Sequence, residues 1–297
     1  MRFIKKRLKC LFLLFCPVIT FCQTYYSGII VKKSTHEKIP YATIGLVKEN
    51  RGTTSNENGN FKIASRYEND SLRVSAVGFK TIVYPITHAF DSIMIELEEN
   101  QIVLKEVIVS NRTMKESPVR VNDFDNCGIN YFSVGLRTYS QIAQYNCAPR
   151  ENMQLSKLRI CKSANSSKFR VRIYEMDSIT GKPSKDLALQ SIDVNSSKRN
   201  VELDLMGYNI FLKKKDFYIA IEWLFIPSNE FTVKTKIRRE KIIFSNYYPY
   251  LSYKRADANK ENSGRRLWLL NFNGRWEPPF EAHENFNFMI SAELIPF

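Results

Sequence analysis

The side chains that could do chemistry here are three histidines, one carboxylate inside an apolar strand, six cysteines, and tyrosines and tryptophans set beside arginine. A zinc hydrolase needs His and Glu at short spacing and a second His downstream. His36, His88 and His283 begin no such pattern, and in His36-Glu37 and His283-Glu284 the neighbouring side chains would diverge on a strand. No Gly-x-Ser-x-Gly run is present, so a serine nucleophile elbow is not expected. Glu222 is the best single carboxylate: it interrupts the apolar run 217–224, and burial raises a carboxylate pKa. The competing reading is that Glu222 faces outward or pairs with an arginine. Oxygen ligands alternate in Asp123-Phe124-Asp125-Asn126 and Asn56-Glu57-Asn58-Gly59-Asn60. Neither run completes a twelve-residue calcium loop, and turn chemistry explains both. No metal and no cofactor is expected.

Aromatic rings offer the remaining lead. Tyr247-Tyr248-Pro249-Tyr250-Leu251-Ser252-Tyr253 and Trp276-Glu277-Pro278-Pro279-Phe280 crowd rings beside Arg and Lys in loop-like sequence. Rings with polar rims hold sugars or proteins. The expected ligand-binding residues are therefore Tyr250 and Trp276, stacking on the ligand, with Arg255 and Arg275 supplying charge. Core packing is the alternative use of the same rings.

The N-terminus pairs a basic segment, Met1-Arg2-Phe3-Ile4-Lys5-Lys6-Arg7-Leu8-Lys9, with an uncharged run from residue 10 to 22 that is too short to span a bilayer as a helix. This reads as an export signal over residues 1–22, cut between Cys22 and Gln23. Lipoprotein processing at Cys22 competes with it: Ile19 and Thr20 fit, but Phe21 is bulky where a small residue is wanted. Three cysteines remain beyond the signal, Cys127, Cys147 and Cys161, and an odd number implies a free thiol or an intermolecular bridge. A Cys127–Cys147 disulfide closing a loop is the expectation, with three buried thiols as the alternative. The net charge of +14 falls to +9 without the signal, because five of the 44 basic residues lie there. The cations sit singly or in short clusters, such as Lys213-Lys214-Lys215, Lys236 with Arg238-Arg239, and Arg265-Arg266. An exported chain is not expected to meet nucleic acid. The basic surface is either simply solvated or drawn to an anionic envelope surface such as lipopolysaccharide or acidic glycan.

These side chains must be positioned by strands. Over residues 26–84 the order is Ser27-Gly28-Ile29-Ile30-Val31, then Ile39-Pro40-Tyr41-Ala42-Thr43-Ile44-Gly45-Leu46-Val47, then Arg51-Gly52-Thr53-Thr54, then Asn58-Gly59-Asn60-Phe61-Lys62-Ile63, then Leu72-Arg73-Val74-Ser75-Ala76-Val77-Gly78-Phe79. Gly59 after Asn58 suits a turn needing positive φ, Phe61 and Ile63 alternate with Lys62, and Pro40 stands at a strand start. Gly78 suits a bulge or a close backbone approach. This grammar resembles the carboxypeptidase-regulatory-like domain, a small transthyretin-like β-sandwich common on exported bacterial proteins, here with Asn56 where the family more often has Asp. Joined to a signal ending before Gln, it resembles exported proteins of the Bacteroidetes type. Leu104-Lys105-Glu106-Val107-Ile108-Val109 resembles the segment leading into the plug of TonB-dependent receptors, but the remaining chain is far too short for a plug and a 22-stranded barrel.

The boundaries read as signal 1–22, first sandwich 23–99, linker 100–124 and a second domain 125–297. Its short strand candidates, among them 157–160, 168–174, 187–189, 201–205, 217–224, 241–244, 267–270 and 286–294, show no helical period. The run 169–184, a strand ending in Tyr174-Glu175-Met176 followed by Gly181-Lys182-Pro183-Ser184, then Leu203-Asp204-Leu205 and a Phe217-Tyr218-Ile219 strand, resembles jelly-roll modules of bacterial surface and adhesin-type proteins. The fold class expected is all-β: an N-terminal transthyretin-like Greek-key β-sandwich followed by a C-terminal jelly-roll-like β-sandwich. The functional expectation is an exported, non-enzymatic envelope protein of the periplasm, outer membrane or cell surface that binds a glycan or another envelope protein, with the membrane reached through a partner or an anionic surface. A small outer-membrane β-barrel is the alternative, supported by the terminal Phe297 and the alternating strand Phe286, Phe288, Ile290, Ala292, Leu294, and opposed by Pro296 and by an apolar run 217–224 that suits a sandwich interior. A hydrolase with a carboxylate site is the third reading.

Overall fold

The computed structural model describes residues 24–67, 69–86, 90–100, 117–134, 138–237, 240–255, 267–279 and 286–297. The export signal, Cys22 and the segment 104–109 lie outside them. Among the described residues the chain is all strand and turn, broken only by two short 3-10 turns.

The first sandwich uses seven strands: β1 (Thr24–Lys32), β2 (Thr43–Leu46), β3 (Arg51–Thr54), β4 (Asn60–Ser65), β5 (Asp70–Ser75), β6 (Ile82–Ile86) and β7 (Phe90–Leu97). They form a three-stranded sheet β4-β1-β7, with β1 and β7 parallel, facing a four-stranded sheet β3-β2-β5-β6. The alternation of Phe61 and Ile63 with Lys62 sends both apolar side chains into a core shared with Tyr26, Ile30, Ile44, Leu72 and Val74. Before β4 the chain turns on Asn56, whose Oδ1 accepts from the backbone N–H of Asn58 (2.9 Å) and Asn60 (3.0 Å). Gly59 has φ +72°, and a β-carbon there would sit 2.8 Å from the Ile30 carbonyl oxygen. The positive φ expected of this turn is therefore present. Gly78 also has positive φ, +84°, but nothing approaches it, so it serves a turn and not a close contact.

The second sandwich sets two antiparallel sheets across one core. One has the order β13 (Pro183–Asp186), β12 (Ser167–Met176), β17 (Asp216–Trp223), β10 (Tyr139–Cys147), β21 (Leu267–Asn271), β22 (Trp276–Glu277), with β14 (Ile192–Ser196) on β12. The other runs β15 (Asn200–Asp204), β11 (Met153–Cys161), β24 (Ile290–Pro296), β8 (Val119–Val121), with β16 (Phe211–Leu212) on β11. A three-stranded sheet of β23 (Phe286–Phe288), β20 (Leu251–Arg255) and β9 (Asn130–Phe132), and a ribbon of β18 (Glu230–Ile237) and β19 (Glu240–Tyr247), complete it. Among the described residues the strands fall into separate sheets and form no closed ring, as expected of a jelly-roll-like sandwich. β8, in the stretch expected as linker, pairs with β24, so the second sandwich takes in chain from residue 119 onward. The segment 187–189 is no strand; β14 follows it instead.

β17 explains the apolar run 217–224. Phe217, Ile219, Ile221 and Trp223 face the main core, while Tyr218 and Ala220 pack with Ala143, Tyr174 and Trp268 on the opposite face. That second face is partly covered by the first sandwich, where Tyr41 packs with Leu224 and Ile226. A strand covered on both sides loses the two-residue alternation.

Candidate functional site

Glu222 lies at the junction of the two sandwiches and is 2% exposed. Strand pairing sets it level with Arg170 on one side and Gln141 on the other. Its Oε2 accepts from Arg172 Nη1 at 3.2 Å and lies 3.7 Å from Arg170 Nη1. Its Oε1 accepts from the Thr43 hydroxyl of the first sandwich at 2.7 Å. Arg170 also pairs with Asp193 (2.7 Å), and Arg172 with Asp186. The Tyr174 hydroxyl donates to Gln141 Oε1 at 2.9 Å, and burial raises its pKa. Every charge in this group has an opposite charge beside it, so Glu222 pairs with arginine, as the second of the two sequence readings had it. Both oxygens of this carboxylate already accept hydrogen bonds, and its burial closes it off from solvent.

The same contacts bind the sandwiches together. Arg170 Nη1 donates to the Tyr41 carbonyl (3.2 Å), Lys168 Nζ to the Tyr41 hydroxyl (2.7 Å), the Phe225 N–H to Thr54 Oγ1 (3.0 Å) and the Phe272 N–H to Asn50 Oδ1 (2.9 Å). Phe272 fits because the hairpin of β2 and β3 is bare at Gly52: a β-carbon there would overlap its ring. Arg73 from β5 lies against Gly274, and burial pulls its guanidinium below the ordinary value.

Gly274 lies in the turn between β21 and the short edge strand β22, and beside that strand lies an open cleft of about 510 Å³. Its lining includes Trp276, Arg275, Glu277, Asp177, Lys182 and Ser184. Trp276 is half-buried and meets Tyr174 edge to face, with ring centroids 5.4 Å apart. The 177–182 turn forming the opposite wall is held by Asp177 Oδ1, which accepts from the N–H groups of Ile179 (3.1 Å) and Thr180 (2.7 Å) and from the Thr180 hydroxyl (2.8 Å). The Thr180 bonds, followed by that to Ile179, hold its carboxyl below the usual carboxylate range. A ring at the edge of a hollow rimmed by both charges and hydroxyls can stack a flat apolar face while exchanging hydrogen bonds around it.

Of the four expected binding residues, the structure brings Arg275 and Trp276 together in this cleft and leaves Tyr250 and Arg255 out of its lining. Tyr250 packs against Phe231 and Tyr248 at the base of the ribbon and accepts from Asn246 Nδ2 at 3.2 Å. Arg255 is exposed at the end of β20, in a different sheet. Among the neighbouring rings, Tyr247 and Trp268 are buried and Tyr253 stacks on Phe286 at 3.9 Å. Sequence reasoning missed Asp177, Lys182 and Ser184, although Gly181-Lys182-Pro183 after a strand signals a turn whose tip is solvent-facing.

The disulfide joins Cys127 to Cys161, with Cα atoms 5.5 Å apart, and Cys147 is free and exposed. The expected Cys127–Cys147 bridge is therefore corrected. Cys147 ends β10 in one sheet, whereas Cys161 ends β11 in the other, where its N–H bonds the Met289 carbonyl and Arg199 holds the loop carrying Cys127. His36 sits 3.0 Å from Glu96 on the surface. Among the described residues no group of three or more His, Cys, Asp or Glu could hold a metal ion.

Residues 26–109 match the model of the CarboxypepD_reg-like domain. No curated protein matches the chain. Among solved structures, a clostridial cysteine protease after propeptide cleavage is 12% identical, with 93% of this chain and 72% of that one covered and a TM-score of 0.41. The cysteine protease and lectin-like domains of a surface layer associated protein of Clostridium difficile are 13% identical, with 92% and 59% covered and a TM-score of 0.36. A DUF3823 family protein from Bacteroides uniformis is 8% identical, with 93% and 100% covered and a TM-score of 0.20. At such scores none of the three carries an argument about the whole chain. The family match and the seven-strand sandwich agree on one conclusion: the N-terminal unit is a carboxypeptidase-regulatory-like domain, docked through a buried polar junction onto a larger β-sandwich.

Proposed function

We propose that this is an exported, non-catalytic envelope protein in which the carboxypeptidase-regulatory-like domain braces a sandwich that binds glycan at the Trp276 cleft. The observation that carries the reading is the half-buried Trp276 ring in an open cleft of about 510 Å³ walled by Asp177, Lys182, Ser184, Arg275 and Glu277. Sugars present flat C–H faces bordered by hydroxyls, and this mixture of ring and rim matches both. Export is supported by the basic and apolar N-terminal pattern and by the Cys127–Cys161 disulfide, which persists in oxidising compartments. The non-catalytic reading is supported by the arginine-locked Glu222.

Native affinity electrophoresis through gels cast with extracted bacterial envelope polysaccharide tests it. The wild type should be retarded, Trp276→Ala should migrate as in a plain gel, and Tyr250→Ala should behave as the wild type. Retardation that survives Trp276→Ala with the fold intact would remove the cleft from the proposal. Export is checked by the mass of the envelope-fraction protein, which should begin at Gln23.

A further inference from the structure

The ribbon of β18 and β19 is rooted in the second core at Tyr247 and forms a sheet of its own. Its strands pair along eight residues each, from Glu230 with Tyr247 to Ile237 with Glu240, in a sheet of two strands only. At about 3.3 Å per residue, that is an arm roughly 26 Å long. Its two faces differ. Phe231, Val233, Thr235, Ile242 and Phe244 are half-buried on one, and Phe231 stacks on Tyr248 at 4.3 Å. On the other, Thr232, Lys234, Lys241, Ile243 and Ser245 are exposed, and the register sets Lys234 directly opposite Ile243. Ile243 is 64% exposed.

Charge along this arm is one-sided. The sequence from 234 to 241 carries Lys234, Lys236, Arg238, Arg239 and Lys241 against a single acid, Glu240. Lysine on an exposed strand edge discourages pairing with another strand, which accounts for one or two of these cations and argues against a second copy as the occupant. It does not account for an exposed isoleucine set opposite Lys234, nor for five cations within eight residues of sequence. A cationic surface with one protruding aliphatic side chain is complementary to a layer of lipid phosphates over hydrocarbon.

We propose that the outer face of the β18–β19 ribbon, defined by Lys234, Lys241 and Ile243, docks on an anionic lipid surface. The cations meet lipid phosphates and Ile243 enters the headgroup boundary. This docking is independent of the Trp276 cleft, which lies at the edge strand of a different sheet. Each cation near an anionic surface contributes roughly fivefold in affinity.

The test is cosedimentation of the mature chain with sucrose-loaded vesicles of phosphatidylcholine containing 30% phosphatidylglycerol, and with phosphatidylcholine alone. The expected result is binding to the anionic vesicles only, weakened about 25-fold by Lys234→Ala with Lys241→Ala, weakened several-fold by Ile243→Ser, and abolished by 0.5 M salt. All three positions are exposed, so circular dichroism and the melting midpoint should not move. Absence of binding to anionic vesicles, or equal binding by the double variant, overturns the proposal. So does concentration-dependent dimerisation that Ile243→Ser removes, because that result assigns the face to a second copy of the chain.

Discussion

The junction around Glu222 and the cleft around Trp276 are built from the same residue types, carboxylate beside arginine beside aromatic ring, and they do opposite things. At the junction Arg170 and Glu222 are 4% and 2% exposed, and each guanidinium and carboxylate is answered by a partner from another strand or from the other sandwich. At the cleft Arg275 is exposed and Trp276 half-buried, and the walls leave open space between them. Burial with full pairing turns reactive-looking residues into a lock, whereas at the cleft the same residue types border open space, where the proposed ligand would lie. The tyrosine hydroxyl of Tyr174 ends in the lock while its ring supports Trp276, so the two regions share one wall.

The largest expected effect comes from breaking the lock. Glu222→Ala leaves Arg170 and Arg172 without their shared carboxylate and should cost about 3–5 kcal/mol, read by chemical denaturation. A loss under 1 kcal/mol would mean the junction is not what joins the sandwiches. The cysteines supply a second contrast. Cys161→Ser opens a crosslink spanning 34 residues, worth about 3–4 kcal/mol, while Cys147→Ser on the exposed thiol should leave the midpoint unchanged. Equal effects from the two would overturn the pairing.

Lys162 sharpens the comparison, because among the described residues it is a buried charge held by backbone carbonyls and not by a carboxylate. It is 0% exposed, its Nζ donates to the carbonyls of Ser163 (3.0 Å) and Asn165 (2.7 Å), and burial lowers its pKa to about 8. Between about 8 and the ordinary lysine value of 10.5 the unfolded chain holds the extra proton, so stability rises with pH across that window and is flat below it. Relative to Lys162→Met, the wild type should gain roughly 2 kcal/mol between pH 7.5 and 9.5. A pH-independent difference would show that the ammonium stays charged in place. The smallest effect belongs to the cleft: Trp276→Ala should cost only about 1 kcal/mol of stability, from the lost contact with Tyr174, while removing polysaccharide retention. A loss as large as that of Glu222→Ala would make Trp276 part of the lock.

Much of the first sandwich was legible because its signals are local. Asn56, Asn58 and Gly59 make a turn that only a few residue types can make, and Phe61 and Ile63 alternate with Lys62 at the strand period. The all-β class of the second sandwich was legible for the same reason, and the apolar run 217–224, read as suited to a sandwich interior, lies in a strand buried on both faces. Of the four residues expected to bind, two share the cleft. Arg275 and Trp276 are neighbours in sequence and stay together, but Tyr250 and Arg255 belong to other sheets, and no local pattern reports which sheet a strand will join.

By itself, then, the sequence determined strand, turn and module, since these follow from backbone sterics and side-chain period within a dozen residues. Tertiary structure alone decided that Cys161 and not Cys147 meets Cys127, that Glu222 is held by two arginines and Thr43, and that Trp276 faces the turn at Asp177. Each of those outcomes depends on atoms brought together from strands far apart in the chain, and distance in space between such strands is set by how whole sheets pack, which no short stretch of residues encodes.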